Sequence, residues 1–378
     1  MLNDKGDKMN KYYFRLLLVI IGALFFSTGC PSSHTSGNAQ NVRTFSVGNF
    51  PFKIAADSLG NVWVLNFKDN TVTKLNSSQG AIGTYPVDPS SSNLAIDAQG
   101  DVWVTSAQNS SIVELNPSGQ KIGDYSAGYD PLGIAIDSAG NVWIADGTDT
   151  VTELNSNGGL LGTYTMGINP VDIVIDAKGD IWVSNTGDNT VSVLSPTGTS
   201  LGTLGVGVTP TEIAIDSKGN AWVVNYGDST VTKIGSNGIT ADTYGTNVEP
   251  DHDAIDPSGN LWIQGDHDVM EMAPGGAAIA TYTMGTCPCD MTVDFFGTVW
   301  VVDSTNNKVY ALTTNKGIVK TYNVGLAPVG MVIDANGNGW VINAGSNTVT
   351  ELVSIVSSAQ GSQYWPYKGP QWIGSGNW

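Results

Sequence analysis

The chain has 378 residues and a formal net charge of −18, from 34 acidic and 16 basic residues. Such an acidic surface repels phosphate backbones, so we expect no nucleic-acid partner. This length often indicates two or more domains, but a closed ring of repeats can use it as one domain.

The N-terminal segment has the pattern of an export signal. Basic residues at 5, 8, 11 and 15 precede the apolar run 16–26, which is too short to span a bilayer and fits a signal peptide. The run ends in STGC at 27–30, which resembles a bacterial lipobox with Cys30 as the lipidated residue. We predict a lipoprotein-type signal peptide over 1–29 and an exported, membrane-anchored protein of the bacterial cell envelope. The alternative is ordinary secretion, with a secreted or periplasmic protein.

Residues 30–42 are small and polar and show no periodicity. This composition is typical of a flexible linker. We predict that they form a tether between the anchor and the folded domain.

A repeat of about forty residues occupies the chain from residue 43 to residue 356. The fragment I-D-x-x-G-N-V-W recurs eight times in more or less strict form, and its tryptophans lie 38 to 40 residues apart: Trp63, Trp103, Trp143, Trp182, Trp222, Trp262, Trp300 and Trp340. A period near forty, with short β-type runs and Gly/Asn turns, indicates the blades of a β-propeller. We expect the tryptophans to pack between neighbouring sheets.

The third copy illustrates one blade. Four short β-type runs, at 134–137, 141–146, 150–154 and 162–167, are separated by turns and predict a four-stranded antiparallel sheet. The glycine of the first turn, Gly140 in this copy, is expected to have a positive φ angle. The aspartate three residues earlier, Asp137, is expected to cap that turn with its carboxylate.

The number of strands predicts how the ring closes. A fourth-strand sequence, TFSVG, begins at Thr44 before the first blade, and the eighth copy lacks this strand. The N-terminal strand should therefore complete the last blade and remove its open edge. We predict an all-β fold with a single propeller of eight four-stranded blades; seven blades and a stray copy are the alternative.

The run P-x-x-I-x-x-D-x-x-G-x-x-W resembles the repeat of the NHL and streptogramin (virginiamycin B) lyase-like propellers. The resemblance covers residues 43 to about 356 and implies the propeller fold. Streptogramin lyases use histidine and glutamate around the channel with Mg²⁺ to open a lactone by elimination. His252 lies at the matching P-x-H position, whereas the next copy has Asp290 where that family has a second histidine.

The position least constrained by the repeat lies two residues after the proline that leads into each first strand. We call it the lead-in position and expect this residue to point toward the channel. In order of the copies it is Lys53, Asn93, Gly133, Asp172, Glu212, His252, Asp290 and Gly330. The turn after the second strand should lie on the same face and adds Asp146 and Asp303.

Copy six departs most from the repeat, with Asp251 and His252 before its first strand and His267 after its second. Carboxylates around a histidine can bind a divalent cation or form an acid–base pair. We therefore predict His252, Asp290 and Glu212 as catalytic residues. The predicted ligand-binding residues are Lys53, Asp172, Asp146, Asp303, Asp251 and His267. Asp290 and Glu212 are also candidate ligands of Mg²⁺ or Ca²⁺, and a solvated polar rim is the alternative for the whole set.

Two further segments depart from the repeat. Cys287 and Cys289 flank one proline, and an exported chain offers a setting in which they could form a disulfide. A thiolate metal site is the alternative. The tail at 357–378 is rich in tryptophan, glycine and proline and is expected to pack on the propeller or to offer stacking surface to a partner.

These observations leave three hypotheses for function. The first is a monomeric, lipid-anchored propeller that binds a small molecule or a protein partner on its channel face. The second is a metal-dependent lyase or lactone hydrolase, and the third is a surface scaffold without a small-molecule site.

Overall fold

The computed structural model describes residues 42–239, 241–285, 288–353 and 355. Over these ranges the chain forms 32 β-strands and no helix. Accordingly, no helix in the described part is long and apolar enough to cross a membrane. The predicted signal peptide at 1–29 with Cys30, the tether up to residue 41, the tail at 357–378 and Cys287 lie outside these ranges.

The strands follow one another in chain order. The first strand is β1 (Val42–Ser46). Blades one to four contain β2 (Pro51–Ala56), β3 (Asn61–Asn66), β4 (Thr71–Asn76), β5 (Gly80–Pro86); β6 (Ser91–Ile96), β7 (Val102–Ser106), β8 (Ser111–Leu115), β9 (Lys121–Ser126); β10 (Pro131–Ile136), β11 (Val142–Asp146), β12 (Thr150–Leu154), β13 (Leu160–Thr165); β14 (Pro170–Ile175), β15 (Ile181–Asn185), β16 (Thr190–Leu194) and β17 (Ser200–Gly205). Blades five to eight contain β18 (Pro210–Ile215), β19 (Ala221–Asn225), β20 (Thr230–Ile234), β21 (Ala241–Gly245); β22 (His252–Ile255), β23 (Leu261–Gln264), β24 (Asp268–Met272), β25 (Ala278–Thr283); β26 (Pro288–Val293), β27 (Val299–Asp303), β28 (Lys308–Thr313), β29 (Gly317–Asn323); β30 (Pro328–Ile333), β31 (Gly339–Asn343) and β32 (Thr348–Leu352).

Eight separate four-stranded antiparallel sheets result, and the last one contains the first strand of the chain. Its strand order is β1-β32-β31-β30, with Val42 opposite Leu352 and Ser46 opposite Thr348. The first strands of neighbouring blades contact each other all the way round, including β30 with β2. The prediction of eight blades closed by the N-terminal strand is therefore confirmed, and the seven-blade alternative is wrong.

The core lies between the blades. The eight repeat tryptophans are at most 3% exposed. Trp63 of blade one, for example, packs in one cluster with Leu94 and Val104 of blade two. This confirms the prediction that the tryptophans fill the space between sheets, where a large apolar side chain contributes most by burial.

Each repeat aspartate caps the turn between the first and second strands. In blade one, Asp57 Oδ1 accepts hydrogen bonds from the backbone N–H groups of Leu59 and Asn61, at 3.0 and 2.8 Å. In seven blades the second carboxylate oxygen also accepts the indole N–H of the blade's tryptophan, at 2.8 to 3.5 Å. The turn glycines have φ angles of 75° to 85°, which glycine adopts without strain. Both predictions about this turn are confirmed.

The two ends of a blade therefore differ in composition. We call the end with the Asp–Gly turn the lower end. The upper end contains the loop that leads into the first strand and the turn after the second strand, because Pro51 pairs with Asn66 and Pro131 with Asp146.

Candidate functional site

The upper ends of the first strands are irregular in a way that turns side chains toward the centre of the ring. In seven blades the pairing of the first and second strands shifts register at or just before the lead-in position, as between Pro51 and Lys53 or between Pro288 and Asp290. Such bulges re-aim one side chain and are common beside binding sites. Blade six has no bulge, because β22 begins directly at His252.

Lys53 is half-buried at the upper end of blade one. Burial lowers the pKa of Lys53 to about 8. The charges of Asp290, Glu212 and Asp172 act on Lys53 in the opposite direction. These carboxylates belong to blades seven, five and four, and blade five lies across the ring from blade one. Lys53 is therefore within electrostatic range of acidic residues from three other blades.

His252 and Glu212 form a buried pair between blades six and five. Nδ1 of His252 lies 2.8 Å from Oε1 of Glu212, and the two residues are 3% and 0% exposed. Burial alone would lower the pKa of His252, but the charge and hydrogen bond of Glu212 outweigh it, with help from Asp251 and Asp290. The pKa of His252 is thereby raised to about 10. At neutral pH the imidazole is protonated and donates to Glu212.

The carboxylates of the ring also link neighbouring blades. Oδ2 of Asp172 accepts the backbone N–H of Ile213 at 2.9 Å, and Oδ2 of Asp290 accepts that of Met331 at 2.7 Å. Glu212 Oε2 accepts the corresponding N–H of blade six at 3.2 Å. Each of these acidic residues therefore contributes one oxygen to the fold.

Burial perturbs two of these acids strongly. It raises the pKa of Asp172 to about 7, and the negative charge of Glu212 adds to the shift. It raises the pKa of Asp290 to about 6, although the charge of His252 opposes the shift. Buried acids with perturbed pKa values that act on one another are characteristic of functional sites.

One member of the site was missed by the sequence analysis. Asp253 follows His252 in β22, is 4% exposed, and is close enough to Glu212, Asp172 and His252 to interact with their charges. The pKa of Asp253 is raised well above its ordinary value, first by burial and then by the two neighbouring carboxylates. We define the channel cluster as six residues: Lys53, Asp172, Glu212, His252, Asp253 and Asp290.

Two residues predicted to bind ligand, Asp146 and Asp303, cap their own turns. Asp146 is 1% exposed and accepts the N–H and hydroxyl of Thr148 at 3.1 and 2.6 Å. Asp303 is 0% exposed and accepts the N–H and the side-chain amide of Asn306 at 3.0 and 2.7 Å. Their carboxylates serve the fold of the upper turn and do not join the channel cluster.

Blade six carries the other two predicted ligand-binding residues. Asp251 is half-buried, and its charge acts on His252. His267 is exposed, with Nδ1 3.2 Å from the carbonyl oxygen of Gly285. His267 therefore lies outside the cluster, whereas Asp251 lies at its border.

The predicted metal ligands and the predicted disulfide both remain predictions. In the described part of the chain, no group of three or more His, Cys, Asp or Glu side chains is arranged to hold a metal ion. Asp290 and Glu212 remain candidate ligands only as a prediction. Cys289 lies half-buried in β26, and its predicted partner Cys287 is outside the described residues.

Comparison with known proteins supports the fold. No protein-family profile and no curated protein sequence matches the chain. Virginiamycin B lyase from Staphylococcus aureus is 17% identical with a TM-score of 0.58, over 82% of this chain and 98% of that one. BamB from Moraxella catarrhalis is 13% identical with a TM-score of 0.61, over 82% and 98%. The C-terminal WD40 domain of Sif2 is 10% identical with a TM-score of 0.70, over 84% and 99%. At these identities the shared property is the β-propeller architecture.

Proposed function

We propose that this protein binds a small polar ligand at the channel cluster. The observation that carries the proposal is the convergence of six ionisable side chains from five blades into one largely buried site. A solvated polar rim, the alternative considered from the sequence, would leave such groups exposed.

The energetics favour a ligand over a purely structural role. Removing charged groups from water is unfavourable unless they are paired and hydrogen-bonded. The repeat already supplies a less costly solution at the same position, because Gly133 and Gly330 occupy it in blades three and eight. Ionisable residues at five of the other six positions are explained by recognition of polar groups, and the presence of both signs fits a ligand with donors and acceptors.

An enzymatic function is the second candidate, as a metal-dependent lyase or a lactone hydrolase. The specific observation in its favour is the buried His252–Glu212 pair, in the P-x-H position where streptogramin lyases carry histidine. The likeness to virginiamycin B lyase supports the same candidate. With its pKa near 10, His252 would enter the reaction as an acid or a hydrogen-bond donor rather than as a base.

The location of the protein is part of the proposal. The basic and apolar pattern before Cys30 supports export and lipid anchoring, and no further partner is needed for the ring to close as a monomer. Cys30→Ser should release the protein from membranes into the soluble fraction. A variant that stays in the membrane fraction would contradict the lipoprotein assignment.

A ligand screen tests the binding function. The mature protein is screened by thermal shift against small polar compounds, including lactones with and without Mg²⁺. Compounds that raise the melting temperature of the wild type should lose this effect in Lys53→Met and Glu212→Gln but keep it in His267→Ala, which changes an exposed residue of blade six. If every active compound stabilises all four proteins alike, the cluster is not the binding site.

Product analysis separates binding from catalysis. Any lactone that binds is incubated with the wild type and with His252→Ala, and the products are identified by mass spectrometry. Turnover by the wild type that disappears in His252→Ala would favour the enzyme. Binding without turnover would favour a binding protein over an enzyme.

A further inference from the structure

Blade six has a carboxyl group at a position that is apolar in every other blade. One residue after the lead-in position the other blades have Ile54, Leu94, Ile134, Ile173, Ile213, Met291 and Met331. Leu94, Ile173 and Met291 illustrate their role, since each is almost fully buried in a core cluster between blades. Asp253 breaks this packing rule, and sequences break such rules mainly at functional sites.

The carboxyl group of Asp253 has no hydrogen-bond partner among the described residues. Both of its oxygens are buried and unsatisfied. Its backbone N–H, by contrast, donates to Glu212 Oε2. A buried polar group without a partner is unfavourable, so its retention requires something that the folded chain alone does not provide.

The surroundings of this carboxyl group indicate the charge of the missing partner. The groups that act on Asp253 are Glu212, Asp172 and His252, two acids and one cation. His252 already points Nδ1 at Glu212. Lys53 acts on Asp172 and Glu212 but is not among the groups that act on Asp253. On this side of the cluster, hydrogen-bond acceptors and negative charge exceed donors and positive charge.

We propose, building on the binding function above, that this side of the channel cluster binds the protonated amino group of a small organic amine. The ammonium group lies between Asp253 and the carboxylates of Glu212 and Asp172. An ammonium group has three N–H donors, which suit several convergent carboxylate oxygens. Lys53 is an ammonium group already held within the same cluster. A metal ion fits less well, because the described residues contain no set of three or more side chains arranged as its ligands.

Calorimetric titration of the mature protein at pH 7 tests this inference. The probes are n-butylammonium and 1,4-diaminobutane, with n-butanol as the uncharged analogue and CaCl₂ as the metal alternative. We expect saturable binding of the amines and none of butanol. Asp253→Ile restores the residue type of the repeat, so it should fold, and it should weaken amine binding by about 30-fold or more. Asp266→Asn changes the same charge on an exposed residue of blade six and should bind like the wild type.

Three results would overturn the inference: no amine binding by the wild type, binding of Ca²⁺ in place of amines, or equal amine affinity in Asp253→Ile. The proposed binding function is tested separately. If Glu212→Gln loses amine binding while Asp253→Ile keeps it, the channel cluster binds ligand but Asp253 has no part in it. If the wild type binds another polar compound and no amine, the amine inference fails and the binding function stands.

Discussion

The two ends of each blade follow different rules. At the lower end an Asp, a Gly and a Trp recur in all eight blades, with nearly the same turn and the same capping bonds. At the upper end, the lead-in position changes from lysine to glycine, glutamate and histidine around the ring. The lower end forms the turn and the tryptophan contact that every blade needs equally, so its residues repeat. The upper end has no such shared requirement, so its residues differ from blade to blade.

Blade six shows this contrast within a single blade, because its lower end follows the repeat and its upper end does not. Its lower end keeps the Asp256 cap and the bond from Trp262, at 3.2 Å. Its upper end lacks the bulge, has His252 and Asp253, and has Gly265 where other blades have Asn, Ser or Asp. Departures confined to one end of one blade indicate a local function rather than general loss of the repeat.

The largest effect is expected at the lower end. Trp143→Ala removes a fully buried side chain and its bond to Asp137, so it should lower the free energy of unfolding by about 3–5 kcal/mol. Urea unfolding followed by circular dichroism measures this. His267→Ala, an exposed change at the upper end, serves as the control. Equal effects of the two substitutions would remove the distinction between the ends.

The His252–Glu212 pair should dominate the pH dependence of the upper end. The pKa of His252 is about 10 in the folded protein and about 6.5 when unfolded. Its contribution to stability is therefore fully present below pH 6.5 and is lost as the pH rises through 10. In Glu212→Gln the pKa of His252 should fall by about 1–3, because the opposite charge is gone. NMR titration of the ring measures the pKa, and an unchanged value would contradict the pairing.

Asp253 should lower stability, unlike the residues of the lower end. Asp253→Ile replaces an unsatisfied buried carboxyl by the side chain of the repeat and should raise the free energy of unfolding by about 1–3 kcal/mol at pH 7. The raised pKa means that the folded state holds the proton more tightly. Wild-type stability therefore falls as the pH rises from the ordinary carboxyl range through the raised pKa of Asp253. The stabilisation by Asp253→Ile should accordingly be smaller near pH 4 than at pH 7. Urea unfolding at both pH values measures this, and a destabilised variant would show that Asp253 supports the fold.

The smallest effect concerns the lower turn itself. Gly140 has φ +84°, so Gly140→Ala should cost about 1–2 kcal/mol through backbone strain. Gly205→Ala is the matched control, because a Cβ there meets no atom within 4 Å. Thermal unfolding should give a lower melting temperature for Gly140→Ala than for Gly205→Ala, and equal melting temperatures would contradict the predicted backbone strain.

Repetition decided which features the sequence could predict. The blades, their closure by β1 and the cap by Asp57 and its equivalents are local or periodic, so eight copies reveal them. The lead-in position was also found by comparing copies. The electrostatic coupling among these residues could not be found in the same way. Lys53 and Glu212 belong to opposite blades and face each other only when the ring closes, and neither burial nor a pKa follows from residue spacing.

The differences between the predicted and the observed surroundings of the site residues have physical causes as well. Asp146 and Asp303 lie at the predicted end of their blades, but an acidic residue at the start of a turn binds the N–H groups of that turn. Asp253 was missed because only the lead-in position was compared from copy to copy. Comparing the next position would have revealed one aspartate among seven apolar residues.

The pairing of β1 with β32 also decides at which end of the ring the described chain begins. Val42 lies opposite Leu352, which pairs with Gly339 beside the Asp334 turn, so the described chain begins at the lower end. Anything joined to the chain before Val42 is therefore attached at the end opposite the channel cluster, so an N-terminal fusion or label can be added without approaching the cluster.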